Sequence, residues 1–386
     1  MLRWGVALGI LVVVGVGLAE LLLRTFPQHL PPATQFRLHD NAIKDNDVHS
    51  LPDQELGYLW RPHVSQRIEG FNFGFDYSTD AHGFRNQGPW PERADVVVVG
   101  DSQAFGFGVD DGESWARQMA ERLPGLAIVN LGLIGAAPQQ FEKVYRAYGR
   151  QLRPEVVLVG LFPPHSMRMG QMFEQWQAEG KPDRFDLRRL HGAGEDGLLG
   201  EVKDRVTDSY AVLGLYYGLK SVLGESDLHT MTFDDGQVRL VSARYGDTAA
   251  GAATGERDFV RVIDLLDQLQ ETVSADGAEM IVVPFPTKEE VHLPLLGERP
   301  HQLTAPFKRA LEQRGIAYLD LMPALRQGVE AGEHLFFEID LHPNPAGHEL
   351  IATTVSEELR RRFGARPLAA LPDREPGALP RRLESP

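Results

Sequence analysis

The stretch VVVVGDSQAFGFGV runs from Val96 to Val109. Four consecutive valines lie between Asp95 and Gly100, a short continuous apolar run of the kind that fits a strand covered on both faces. The run stops at Gly100, Asp101 and Ser102, and the chain then turns glycine-rich. In an open parallel sheet, ligands sit beyond the carboxyl ends of the strands. Gly100 permits a tight bend. Ser102 then stands at the tip of a rigid strand, near the start of a helix or loop whose backbone N–H groups face an anion. Two readings of this tip stand side by side: Asp101 or Ser102 caps a helix, or Ser102 is a nucleophile.

Outward from this strand, the chain alternates strands with helices. After Asp95–Gly100 come a helix at Glu113–Leu123, a strand at Ala127–Leu131, a helix at Pro138–Leu152 and a strand at Glu155–Phe162. Later come a helix at Asp258–Ala275, a buried strand at Glu279–Phe285, a helix at Thr304–Arg314, a strand at Ala317–Leu321 and a long helix at Ala346–Phe363. This alternation predicts an α/β fold, a three-layer sandwich with a mostly parallel sheet. Residues 163–256 interrupt the rhythm as an insertion. Within it, Val202–Leu223 reads as a helix and His229–Ser242 as a hairpin with an Asp-Gly turn. Residues 26–93 are polar and rich in Pro, His and Asp, and read as a lead-in that packs on the main domain of residues 94–363. A short strand and a turn at Ala81–Gly83 are expected within GFDYSTDAHGFRN. Residues 364–386 carry few bulky side chains and read as a disordered tail.

The first 25 residues are apolar from Trp4 to Leu23, with Glu20 the only charge. Twenty helical residues rise roughly 30 Å, the thickness of a bilayer's hydrocarbon core. An uncleaved transmembrane anchor is the expectation; a cleaved signal peptide would have a shorter apolar core. Glu20 lies near the end of the segment, where it reaches the interface or a partner helix. Arg3 and the amino terminus favour a cytoplasmic N-terminus, with the body of the protein outside.

The 386 residues suffice for one large domain with a proper core. A net charge of −15 argues against nucleic acid as a partner. The absence of cysteine excludes disulfides and thiolate metal sites and is compatible with an oxidising compartment.

A serine nucleophile needs a base, and the base needs orientation. FFEIDLHPNPAGHELIA supplies Asp340 and His342. Residues two apart in an extended segment point to the same side, and Leu341 and His342 precede Pro343, which favours extended backbone at His342. Asp340 can then lie along the His342 ring. Asn344 reads as an N-cap with Pro345 at the first helical position. His342 also has a packing or capping reading, and Asp340 that of an ordinary loop acid. His342 and His348, six apart and entering a helix, do not form a familiar metal pattern, so neither metal nor cofactor is expected.

Taken together, GDS after a buried strand, a glycine after the second strand and an Asp–His pair near the C-terminus resemble the SGNH (GDSL-type) hydrolases. GDSQAFGFGV followed by ESWARQMAERL, the upstream STDAHGFRN and the later VVPFPTKEEV are similar to an envelope branch that acetylates alginate and other exopolysaccharides. The resemblance implies a flavodoxin-like fold and a serine esterase or O-acyltransferase acting on acyl esters of cell-envelope polysaccharide. It implies Ser102 as nucleophile, His342 as base and then acid, and Asp340 as its orienting partner. The oxyanion hole it implies comprises the N–H groups of Ser102 and Gly135, with Gly132 the alternative. The family's third block usually holds an Asn; here His165 occupies that place and either donates in its stead or faces solvent. That departure keeps open a catalytically inactive polysaccharide-binding or assembly component. The expected setting is a bacterial inner membrane, crossed once, with the globular domain in the periplasm or outside and envelope biosynthesis proteins as possible partners. Lys288 is expected on the surface rather than on substrate, and Asp320 at a strand end. Trp176, Tyr216 and Tyr217 are expected in the core rather than on sugar rings.

Overall fold

The computed structural model describes residues 2–30, 50–69, 73–181, 185, 209–223, 228–232, 238–242, 249–297, 303–338 and 340–364. In chain order the elements begin with α1 (Leu2–Thr25), β1 (Ser50–Asp53), β2 (Gly57–Trp60), β3 (Ser65–Glu69) and β4 (Gly74–Ser78). The next block holds β5 (Val96–Gly100), α2 (Ser102–Phe105), α3 (Trp115–Arg122), β6 (Ile128–Asn130), α4 (Pro138–Val144), β7 (Val156–Leu161) and α5 (Pro163–Ala178). Then follow α6 (Tyr210–Val222), β8 (Leu228–Thr232), β9 (Val238–Ser242), α7 (Ala249–Ala275) and β10 (Glu279–Pro284). The chain closes with α8 (Lys288–His292), α9 (Thr304–Gln313), α10 (Met322–Glu330) and α11 (Pro345–Phe363).

The central sheet has the order β10-β7-β5-β6, and every pairing in it is parallel. The four-valine run explains why β5 sits in the middle. Val97 and Val99 enter one apolar cluster, with Val157, Val159, Met280, Val282, Leu266, Leu269 and Phe307. Val96 and Val98 enter the other, with Leu158, Ile281, Val283, Trp115, Met119, Leu325, Ile351 and Val355. Period-two alternation thus feeds two helical layers from one uninterrupted apolar strand. The first of the sheet's strands, β5, is flanked by the second and the third, so the topological switch point lies at its carboxyl end. That end carries Ser102.

The segment Ala317–Leu321 departs from expectation. It forms only an isolated parallel bridge, Val282 to Tyr318, rather than a fifth strand. Asp320 serves instead as a local anchor: it accepts from the Met322 N–H at 3.1 Å and from the Lys308 ammonium at 2.5 Å. In the insertion, β8 and β9 pair antiparallel as expected, while their turn at 233–237 lies outside the described residues. The helix expected from Val202 is described as α6 only, from Tyr210, and the tail from 365 lies outside the described residues. Trp176 is buried, packed with Phe173 and Phe185. Tyr216 is exposed, contrary to the core reading, and the side chain of Tyr217 is outside the described set.

The N-terminal segment is one unbroken helix of 24 residues. Among the described residues, no helix is long and apolar enough to cross a membrane. Glu20 meets a partner helix: its carboxylate accepts from Ser209 Oγ and from the N–H groups of Tyr210 and Ala211, at the start of α6.

The lead-in forms two hairpins, β1–β2 and β3–β4, whose Leu56, Trp60, Ile68, Phe75 and Tyr77 join the first apolar cluster. The turn after β4 is organised by Asp80, which accepts from the N–H groups of His82 and Phe84, from Asn86 Nδ2 and from Trp90 Nε1. That turn delivers Arg85 beneath the glycine-rich loop. Arg85 is 7% exposed; it pairs with Asp111 at 2.8 Å and donates to the carbonyls of Gly106 and Val109. Replacing Arg85 by Met leaves those acceptors unpaired in a buried setting. The expected cost is about 3 kcal/mol of stability, read as a shift in urea unfolding midpoint at unchanged slope.

Candidate active site

Three segments converge at the end of β5. Gly100, at φ 144°, closes the strand so near β7 that a Cβ atom would lie 1.9 Å from the Gly160 carbonyl oxygen. Only glycine fits there. Asp101 follows, fully buried, as the N-cap of α2. One carboxylate oxygen accepts from the Gln103 N–H at 2.9 Å, and the other from the Phe162 N–H at 2.9 Å. The capping reading of GDS is therefore right for Asp101, and it frees Ser102 for another task. Asp101 also ties the ends of β5 and β7 together. Burial pushes its carboxyl up to about 6, against the pull of those two backbone N–H groups.

Ser102 opens α2 and is almost fully buried, with its Oγ 2.7 Å from His342 Nε2. His342 Nδ1 lies 2.6 Å from Asp340 Oδ1, which also accepts from the His342 backbone N–H at 2.7 Å. The carboxylate therefore holds both the ring and the backbone of the same residue. Phe107 places its ring 4.7 Å from the His342 ring, centroid to centroid. The Asp340–His342 loop is closed at its base by the Phe336–Pro343 bridge. Past the loop, Asn344 caps α11 by accepting from the Gly347 N–H at 3.0 Å, with Pro345 at the first helical position.

These distances describe an alcohol within proton-transfer reach of an imidazole whose far nitrogen faces a buried acid. Such a constellation can form an ester on Ser102. After β6, the Gly132 N–H is committed to Asn130 Oδ1 at 2.9 Å. Gly135 stands in a turn at φ 74°, in the left-handed region. His165 lies in the first turn of α5, half-buried, just after β7.

Some side chains around the site were not foreseen. Lys288 is 4% exposed rather than on the surface, because its ammonium meets three backbone carbonyls of the Asp340–His342 loop. Arg85 braces the loop beyond Ser102. The only signal for it was the STDAHGFRN motif, which gave a likeness but no contact. His348, also unassigned in advance, sits buried in the first turn of α11 and accepts from the Trp115 N–H at 3.2 Å through Nδ1. His342 and His348 face different partners: Ser102 and Asp340 for the first, the Trp115 N–H for the second.

A family model described as an SGNH hydrolase-like domain of acetyltransferase AlgX matches residues 246–381. Over those residues, about a third of the chain, this protein is similar to the SGNH hydrolase-like domain of the AlgX-like branch. The matched stretch holds Lys288, Asp340 and His342, while Ser102 precedes it. Among curated proteins, no relative matches significantly. Similar solved structures include a member of the lipolytic G-D-S-L family from Veillonella parvula. It is 14% identical, with a TM-score of 0.36, over 69% of this chain and 98% of that one. Another is the psychrotrophic esterase EstA from Pseudoalteromonas sp., 12% identical, TM-score 0.35, over 70% of this chain and 98% of that one. Likenesses at such TM-scores are weak, and the fold stands on its own strand order.

Burial also fixes how this domain responds to acid. His348 is pushed down to about 3 by burial first and by the charges of Arg85 and His342 second. Its native form is thus neutral, whereas the unfolded chain protonates it near the ordinary value of 6.5. Between these values the unfolded state binds the extra proton, so stability is present above 6.5 and is lost as pH falls toward 3. The contribution to the slope reaches about 1.4 kcal/mol per pH unit. His348→Gln keeps an acceptor for Trp115 and removes the titration. Denaturant unfolding from pH 7 to 4 should show the variant losing less stability than the wild type; parallel curves would contradict the assignment.

Proposed function

We propose that this protein is a membrane-anchored serine O-acyltransferase or esterase that acts on acyl esters of cell-envelope polysaccharide, with acetyl as the acyl group. The single observation that carries this reading is the continuous pair of contacts, Ser102 Oγ to His342 Nε2 and His342 Nδ1 to Asp340 Oδ1.

 In the mechanism, His342 takes the Ser102 hydroxyl proton as Oγ attacks the acyl carbonyl carbon. The carbonyl π electrons move onto its oxygen, and the N–H groups of Ser102 and Gly135, with the His165 ring as a third donor, hold that charge. The intermediate collapses, the bond from the acyl carbon to the donor's oxygen breaks, and His342 returns the proton to that oxygen. An acyl-Ser102 ester remains. A water or a sugar hydroxyl then gives its proton to His342 and attacks the same carbon; the bond from that carbon to Ser102 Oγ breaks, and His342 returns the proton to Oγ. Asp340 holds the ring in one tautomer and offsets its charge through both steps. Oxyanion donors of this kind are worth roughly 3 kcal/mol each.

The polysaccharide assignment is supported by the AlgX-like family match. The transferase reading is distinguished from the esterase reading by the second nucleophile alone. The anchor is proposed from the apolar run Trp4–Leu23 of the sequence, in which Leu11, Val13, Val14, Val16, Leu18, Leu21 and Leu22 are exposed. In that setting the body of the protein stands on the periplasmic or outer side of a bacterial inner membrane.

The test is covalent labelling of the full chain with a fluorophosphonate. Wild type should label, Ser102→Ala should not, and Asp340→Asn should label about 10,000-fold more slowly. A folded wild type that does not label overturns the enzyme reading in favour of a binding component. Transfer of a labelled acetyl group to an oligosaccharide, against its release as acetate, then separates transferase from esterase. Carbonate-washed membranes should retain the full chain, and release of the intact chain by that wash contradicts the anchor.

A further inference from the structure

We propose that Lys288 is a positioning residue for the acid–base pair: its ammonium gathers three carbonyls of the loop that carries Asp340 and His342, and so sets where both side chains stand relative to Ser102. The inference rests on the catalytic reading above.

A lysine this deeply buried needs partners for its charge. Lys288 Nζ donates to the carbonyls of Phe337 at 2.5 Å, Glu338 at 2.6 Å and Asp340 at 3.2 Å. An ammonium carries three donors and no acceptor, so three converging carbonyls match it. Without a cation, three carbonyl dipoles aimed at one buried point repel one another, and the loop has reason to open.

Both ends of this contact are fixed. Lys288 is the first residue of α8, and its backbone is held by a capping box: Thr287 Oγ1 accepts from the Glu290 N–H, and Glu290 accepts from the Thr287 N–H. Glu290 also accepts from the N–H groups of Leu303 and Thr304, which ties α8 to the start of α9. On the loop side, the Phe337 N–H donates to the His342 carbonyl at 3.2 Å, closing the loop above the Phe336–Pro343 bridge.

The contacts therefore run without a gap from the scaffold to the nucleophile. Lys288 holds the Asp340 carbonyl, the Asp340 carboxylate holds the His342 ring and backbone, and the His342 ring meets Ser102. Lys288 touches none of the reacting atoms. Its place at the carboxyl end of β10, one strand beyond β7, lets the sheet itself locate the loop. Arginine is not equivalent here, because its planar fork spreads its donors and does not converge them on one point.

The test uses the full chain with Lys288→Met, which keeps the stem and removes the ammonium, and Lys288→Arg, which keeps the charge. Lys308→Met, which breaks the pair with Asp320, serves as the control for loss of a lysine elsewhere. One readout is the rate of fluorophosphonate labelling at saturation. The second is the downfield proton resonance of His342 Nδ1–H, assigned by its loss in His342→Gln. Thermal unfolding of each variant reports the fold.

Lys288→Met should label about 100-fold more slowly, the cost of a misplaced acid–base pair. It should also lose or broaden the downfield resonance, while unfolding stays cooperative. Lys288→Arg should fold and show the same two defects in milder form; it carries the test should Lys288→Met not fold. Lys308→Met should match wild type in both readouts. Wild-type labelling and an unchanged resonance in a folded Lys288 variant overturn the proposal. If wild type does not label, the enzyme reading fails by itself, and the resonance still decides whether Lys288 orders the loop.

Discussion

A hydrogen bond between groups 240 residues apart in the chain, Ser102 Oγ and His342 Nε2, is the contact on which the proposed chemistry depends. Neither partner could find the other without the sheet. β5 delivers the serine at the topological switch point, and the chain must pass β6, β7 and β10 before it returns with the histidine. The doubly buried valines make that delivery rigid, since both faces of β5 are packed.

Rigidity of the strand alone does not place this contact. Buried polar groups complete it on each side. Asp101 caps the short helix that Ser102 opens and binds the neighbouring strand's exit. Arg85 gathers the carbonyls of the glycine-rich loop from below. Lys288 gathers those of the opposite loop. The two cations do parallel work: each satisfies backbone acceptors that a tight loop turns inward and that no strand or helix can pair.

Much of this was legible in the sequence. Strands buried on both faces read as unbroken apolar runs, which is why β5, β7 and β10 stood out and why Ser102 could be set at a strand end. The Asp340–His342 spacing was legible because alternation in an extended segment is a local property. Ala317–Leu321 misled because an alternating pattern says nothing about how many partner bonds form; here it makes one bridge. Lys288 misled for a different reason. Residue type predicts exposure, whereas the carbonyls that draw the ammonium inside belong to a loop some fifty positions away. Arg85 and His348 were hidden in the same way, since the Gly106 and Val109 carbonyls and the Trp115 N–H are backbone groups that leave no mark on side-chain chemistry.

The most direct test of the central claim is to trap the covalent intermediate. Full-length protein is mixed with an activated acyl ester, quenched in acid within the first turnover and digested, and the peptides are weighed. The account predicts one acyl group on the peptide that contains Ser102, absent from Ser102→Ala. An acyl group on another residue, or turnover of the ester with no adduct on that peptide, would contradict it.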